Sequence, residues 1–210
     1  VNPVHVDLNG TRVTTPDIAN TDSSDRGNVA VSTEIKNDGD TAAEVTVRNT
    51  VYTSDGTQAS GTHETTVSVG AGQTVTAEGS TVVSEPQLWS VETPNRYYVR
   101  TEILEDGEEV DTYDTDFGFR WFAFDRNTGF SLNGENVKLN GVCMHHDQGA
   151  LGSAAYYDAM YRQLSIMKDM GVNAIRTSHN PADKQFIEIC DELGLMVIEK
   201  FFDGWSVSKN

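Results

Sequence analysis

Apolar residues recur at every second position through much of the first half of the chain. Val29, Val31, Thr33 and Ile35 alternate with Ala30, Ser32, Glu34 and Lys36. The alternation returns at Val45 and Val47, at Val67 and Val69, and at Val75 and Ala77. A period of two carried by β-branched residues predicts strands with one buried face. Turn-forming clusters separate these runs: Asn37-Asp38-Gly39-Asp40, Asp55-Gly56, Gly70-Ala71-Gly72 and Asp106-Gly107. No helical stretch intervenes, so the pattern predicts an antiparallel immunoglobulin-like β-sandwich. The Cys…Trp…Cys arrangement of antibody domains is absent, so only the architecture is implied.

The second half changes period. Tyr157, Met160, Tyr161, Leu164 and Met167 fall on one face of a helix. A second helix is expected from Asn180-Pro181-Ala182-Asp183, with Asn180 as N-cap, Pro181 in the first turn and Asp183 facing the positive end of the helix dipole. Phe186, Ile187, Cys190 and Leu193 form its expected buried stripe, and Gly194 its stop. Short apolar runs at 137–144, 172–175 and 195–198 flank these helices. The order β-α-β-α-β predicts parallel strands with crossover helices.

Charge divides the chain at the same place. Residues 1–118 carry 21 acidic and 6 basic residues, and residues 119–210 carry 11 and 9. A boundary is therefore expected near 117–121. Domains are assigned as 1–118, the sandwich, and 119–210, the βαβαβ segment. The formal net charge of −17 argues against a nucleic-acid or anionic-membrane partner. No apolar run is long enough to span a bilayer. No leader pattern is visible at the start, and the compartment is left open. Cys143 and Cys190 both lie in apolar contexts and are expected to be buried free thiols rather than a disulfide.

Each of the three parallel strands runs into charged residues: His145-His146-Asp147, Arg176-Thr177-Ser178-His179 and Glu199-Lys200. In parallel α/β folds the C-terminal strand ends share the ligand-binding face. These groups are therefore expected to converge. Each also has a plainer role: a polar loop at 145–147, a structural ion pair for Arg176, a helix cap for His179, a partner of Lys200 or Arg176 for Glu199. Metal-dependent hydrolysis through His145, His146, Asp147 and His179 is one alternative, since those ligand types suit Zn²⁺. A non-catalytic binding module built on residues 1–118 is another.

The stretch Asn173-Ala174-Ile175-Arg176-Thr177-Ser178-His179-Asn180-Pro181, then Phe186-Ile187, then 191–198, resembles the first signature of glycoside hydrolase family 2, which contains β-galactosidases, β-glucuronidases and β-mannosidases. Asn180 departs from the tyrosine usual there. Pro86-Gln87-Leu88-Trp89-Ser90, Tyr97-Tyr98-Val99 and Phe117-Gly118-Phe119-Arg120 resemble the end of the family's sandwich domain. Phe130-Ser131-Leu132-Asn133-Gly134-Glu135 and Leu139-Asn140-Gly141-Val142 resemble the opening hairpin and first strand of its (β/α)₈, or TIM, barrel. The resemblance implies retaining hydrolysis of β-glycosides, most closely β-galactosides, by two glutamates ~5–5.5 Å apart. It implies that His145 and His179 contact the sugar in the −1 subsite, and that Arg176 holds the nucleophilic glutamate. Asp147, Asp203 and Trp205 join the expected substrate contacts. Both glutamates belong to later strands of the family's barrel, the fourth and seventh. The 210 residues alone are accordingly expected to be inactive, and to self-associate through an incomplete barrel. No cofactor is expected: some members bind Mg²⁺ just after the third strand, but Glu199-Lys200 breaks the acidic pair there.

Overall fold

The computed structural model describes residues 2–19 and 25–201. It divides into two compact units: Val1–Leu88 with Asn95–Trp121, and Trp89–Pro94 with Phe122–Asn210.

Among the described residues the first unit is a seven-stranded antiparallel sandwich. One sheet has the order β1 (Val4–Thr14), β2 (Arg26–Asn37), β5 (Thr74–Ser84); the other has β4 (His63–Val69), β3 (Ala43–Thr53), β6 (Tyr97–Glu105), β7 (Glu108–Phe117). The period-two residues fill its interior. Val29, Val31, Ile35, Val45, Val47 and Val69 are all at most 1% exposed. The apolar interior forms two clusters, one around Ile35, Val47 and Ile103, the other around Val31, Val51 and Phe119. Polar side chains are buried in the same interior. Thr101 Oγ1 donates to Asn49 Oδ1 at 2.8 Å, satisfying both groups away from water. A Cβ on Gly27 would lie 2.5 Å from the Phe119 ring, so glycine is what lets that ring reach the strand. The Asp106-Gly107 turn has φ of 51° and 84°, the double positive φ that a type I′ hairpin requires.

The second unit begins with a small antiparallel sheet of β8 (Phe122–Asp125), β9 (Gly129–Leu132) and β10 (Glu135–Asn136). Three parallel strands follow, β11 (Gly141–Met144), β12 (Ala174–Thr177) and β13 (Met196–Ile198), connected by α1 (Tyr157–Asp169) and α2 (Lys184–Leu193). This is the βαβαβ start of a TIM barrel. Val142, Met144 and Ile175 face the helices and pack with Met160, Leu164, Phe186, Ile189 and Cys190. By the alternation of a strand, the opposite face carries Ala174, Met196, Cys143, Arg176 and Ile198. Trp89, Val91 and Leu132 cover its lower level at Ala174 and Met196. The Trp89 indole N–H donates to the Asp191 carbonyl at 2.8 Å, so this loop, read from sequence with the sandwich, packs within the second unit.

Three local expectations are corrected. Cys143 is exposed, because it lies on the uncovered upper level of the sheet face turned away from the helices; Cys190 is buried, and both thiols are free. The N-cap of α2 is Asp183, whose Oδ1 accepts from Gln185 N at 2.9 Å, not Asn180. The reason is that Ala182 N–H points to Glu199 Oε1, at 3.1 Å, so 181–183 form a strap rather than a helical turn. Tyr157 is 42% exposed, while Met160 and Leu164 carry the α1 core contact. Among the described residues no helix is long and apolar enough to cross a membrane.

Candidate active site

The C-terminal ends of β11, β12 and β13 lie side by side. Their register places Cys143, Arg176 and Ile198 in one row across the sheet. The chain leaving β11 presents His145, and the chain leaving β12 presents His179. Their rings meet edge to face, with centroids 5.3 Å apart and planes at 86°. Residues 34 positions apart in sequence are thus brought into contact by strand pairing alone.

Three hydrogen bonds fix the segment that carries His179. Ser178 N donates to Met144 O at 2.8 Å, Lys200 N to Thr177 Oγ1 at 2.9 Å, and Ala182 N to Glu199 Oε1 at 3.1 Å. All three strand ends are therefore stitched together around the imidazoles. Glu199 serves this stitching rather than pairing with Lys200 or Arg176.

Arg176 is half-buried and has neutral partners. Its Nη1 donates to Ser178 Oγ at 3.1 Å and approaches Cys143 Sγ at 3.7 Å. No carboxylate among the described residues lies within ion-pairing distance. The Nε–Nη2 edge has no partner among the described residues. That is the edge by which Arg100 in the sandwich grips Asp114, at 2.9 and 2.8 Å. Such a planar two-donor edge matches a carboxylate.

Asp147 Oδ1 accepts from Gly149 N at 2.8 Å and its carbonyl from Gln163 Nε2 at 2.9 Å, which closes the loop after β11. Asp203 and Trp205 lie outside the described residues. Among the described residues no group of three or more His, Cys, Asp or Glu side chains is gathered closely enough to hold a metal ion, so His145, His146, Asp147 and His179 do not share one centre. Sequence reasoning missed Ser178, which is 4% exposed and holds the guanidinium. Its position two residues after an arginine at a strand end was the available signal.

The sequence model of glycosyl hydrolases family 2 matches residues 6–120, and that of the family's TIM barrel domain matches residues 125–205. The chain belongs to glycosyl hydrolase family 2. Its relatives in the family include the β-galactosidase BoGH2A of Bacteroides ovatus, 37% identical over 99% of this chain and 24% of that protein. A putative β-glucuronidase of Formosa agariphila is 50% identical over 59% of the chain and 12% of its own length. Among solved structures, a family 2 member from Bacteroides cellulosilyticus superposes with a TM-score of 0.90 at 33% identity, over 98% of this chain and 28% of that one. A β-glucuronidase from Bacteroides uniformis does so at 0.87 and 33%, over 95% and 24%. The chain thus spans about a quarter or less of the length of these relatives.

Proposed function

We propose that this chain supplies the sugar-holding part of the −1 subsite of a retaining β-glycosidase, acting on β-galactosides. The observation that carries the proposal is the His145–His179 pair at adjoining strand ends, beside an arginine whose two-donor edge is open. In this reading the imidazoles hydrogen-bond hydroxyls of the ring being cleaved. Arg176 fixes and keeps ionised the carboxylate that attacks the anomeric carbon, a preorganised charge contact of the kind that lowers barriers most. Cleavage proceeds through two carboxyl groups ~5–5.5 Å apart. Asp147 and Glu199, each of which accepts a backbone N–H, are proposed to hold the loops around the site rather than to act on the anomeric carbon. Asp203 and Trp205 are proposed to add a hydrogen bond and a stacking surface. No metal or cofactor is assigned a step.

The 210 residues alone are expected to release no aryl alcohol from an aryl β-galactoside. They are also expected to self-associate through exposed apolar groups such as Ile198, 52% exposed, and Phe124, 73% exposed; a monodisperse monomer in solution would contradict this. The enzyme containing this chain cleaves the β-galactoside at least ten times faster, by kcat/KM, than the matching β-glucuronide. Turnover by the 210 residues that His179→Ala abolishes would overturn the expected inactivity. A preference for the glucuronide would overturn the galactoside assignment.

A further inference from the structure

Arg176 and Ser178 stand two residues apart at the end of β12, the spacing that puts side chains on one side of an extended chain. Ser178 Oγ accepts from Arg176 Nη1 at 3.1 Å. The serine is 4% exposed, so bulk water does not compete for that oxygen. Its own place is fixed from several directions. Its backbone N–H donates to Met144 O at 2.8 Å, and Thr177 and Ala182 on either side of it are tied to Lys200 and Glu199. Arginine is long, and left to itself its side chain samples many rotamers. The contacts that restrain the Arg176 guanidinium both fall on Nη1: Ser178 Oγ and, at 3.7 Å, Cys143 Sγ. Sulfur is a weak acceptor, so the hydroxyl is the stronger anchor. A guanidinium is planar, and holding its Nη1 corner sets the direction of the opposite Nε–Nη2 edge.

We propose that Ser178 is a positioning residue of the glycosidase: by holding Nη1 it aims the two-donor edge of Arg176 at the carboxylate that attacks the anomeric carbon. This rests on the role proposed above for Arg176 and names the side chain that makes that role effective. Ser178 acts through the guanidinium, not on the sugar. An arginine released from Nη1 still carries its charge but no longer holds the attacking oxygen in one orientation. Orientation of the attacking group counts in the reaction step, whereas sugar binding belongs to the imidazoles, so the loss should appear in kcat rather than in KM. The plainer role for Ser178 is a buried hydroxyl that only completes the packing of its loop. That role predicts a change in stability and none in kcat.

The test is kcat and KM of the enzyme containing this chain for an aryl β-galactoside, with thermal midpoints alongside. One lost hydrogen bond to a charged group corresponds to about tenfold in rate, so kcat should fall about tenfold in Ser178→Ala with KM within twofold of wild type. Ser178→Cys keeps the size of the side chain and offers only a weak acceptor; it should fall likewise, and it serves where the alanine disturbs folding. Ser178→Thr keeps the hydroxyl and should recover at least a third of the wild-type kcat. A double-mutant cycle reads the coupling to Arg176. In an Arg176→Lys background, which has no planar edge to aim, Ser178→Ala should change kcat less than twofold. A kcat within twofold of wild type in Ser178→Ala and Ser178→Cys would overturn the inference. So would a fall that Ser178→Thr does not relieve, or one that persists undiminished beside Arg176→Lys. Unchanged Ser178 variants with a slowed His179→Ala would remove this inference alone, whereas full activity in all of them would remove the glycosidase reading as well.

Discussion

Glu199 sits at the end of β13, yet the structure gives it a task on the loop after β12, so Glu199→Ala should loosen that loop first. Its Oε1 accepts the Ala182 N–H at 3.1 Å and straps 178–183 to the third strand. Net hydrogen-bond contributions with a charged partner run ~1.5–3 kcal/mol. Glu199 is half-buried, so water competes for both groups and the lower end, about 1.5 kcal/mol, applies. The cost falls on local opening rather than on the whole unit, because the other two tethers, Ser178 N to Met144 O and Lys200 N to Thr177 Oγ1, remain. Each ~1.4 kcal/mol is a factor of ten in an equilibrium. Amide exchange at Ala182 should therefore accelerate about tenfold in Glu199→Ala and by less in Glu199→Gln, which keeps an acceptor oxygen. Exchange in β6 of the sandwich should not change. Equal Ala182 exchange in all three proteins would refute the strap, and uniform acceleration across the second unit would show a global effect instead.

Leu164 is fully buried between α1 and the parallel sheet, and Leu164→Ala should destabilise the second unit by about 3 kcal/mol, within the ~2–5 kcal/mol range for such truncations; guanidine unfolding followed at the helical circular-dichroism band reads it. The two thiols should differ in reactivity. Burial pushes Cys190 up to about 12, while Cys143 is exposed, so a thiol reagent at pH 8 should label one site in the native chain and two after unfolding. Backbone N–H groups of Thr128 and Asn127 hold the Asp125 carboxyl below its ordinary 3.8. A depressed carboxylate adds stability above its unfolded pKa and loses it as pH falls through the folded one. The destabilisation caused by Asp125→Asn, read from thermal midpoints, should therefore be full at neutral pH and fade below pH ~4.

The fold was legible where one physical rule governed a whole element. Val29 to Ile35 alternated cleanly and became β2, and Asp106-Gly107 specified its own hairpin. β1 was harder to see because its register shifts between Val6 and Thr11: Val6 is buried while Leu8, next in the alternation, is 88% exposed. The bulge breaks the period on which the reading depends. At the site, the convergence of His145 and His179 followed from parallel strand order. The α2 cap did not, because a long-range acceptor, Glu199, outcompetes the local pattern that favoured Asn180. Cys143 looked buried because its neighbours Val142 and Met144 are apolar; which side of a strand is covered depends on packing that neighbouring residues in sequence do not encode. Arg176's neutral partners were equally invisible, since they are set by register with β11 and by the fold of its own loop.

The His145–His179 pair is proposed to hold the sugar ring at which cleavage occurs. The most direct test is kcat/KM of the enzyme containing this chain for an aryl β-galactoside, wild type against His179→Ala, with thermal stability measured alongside. A lost hydrogen bond to the reacting sugar of ~1.5–3 kcal/mol corresponds to a fall of about ten- to a hundredfold at unchanged stability. A His179→Ala enzyme within twofold of wild type would contradict the claim.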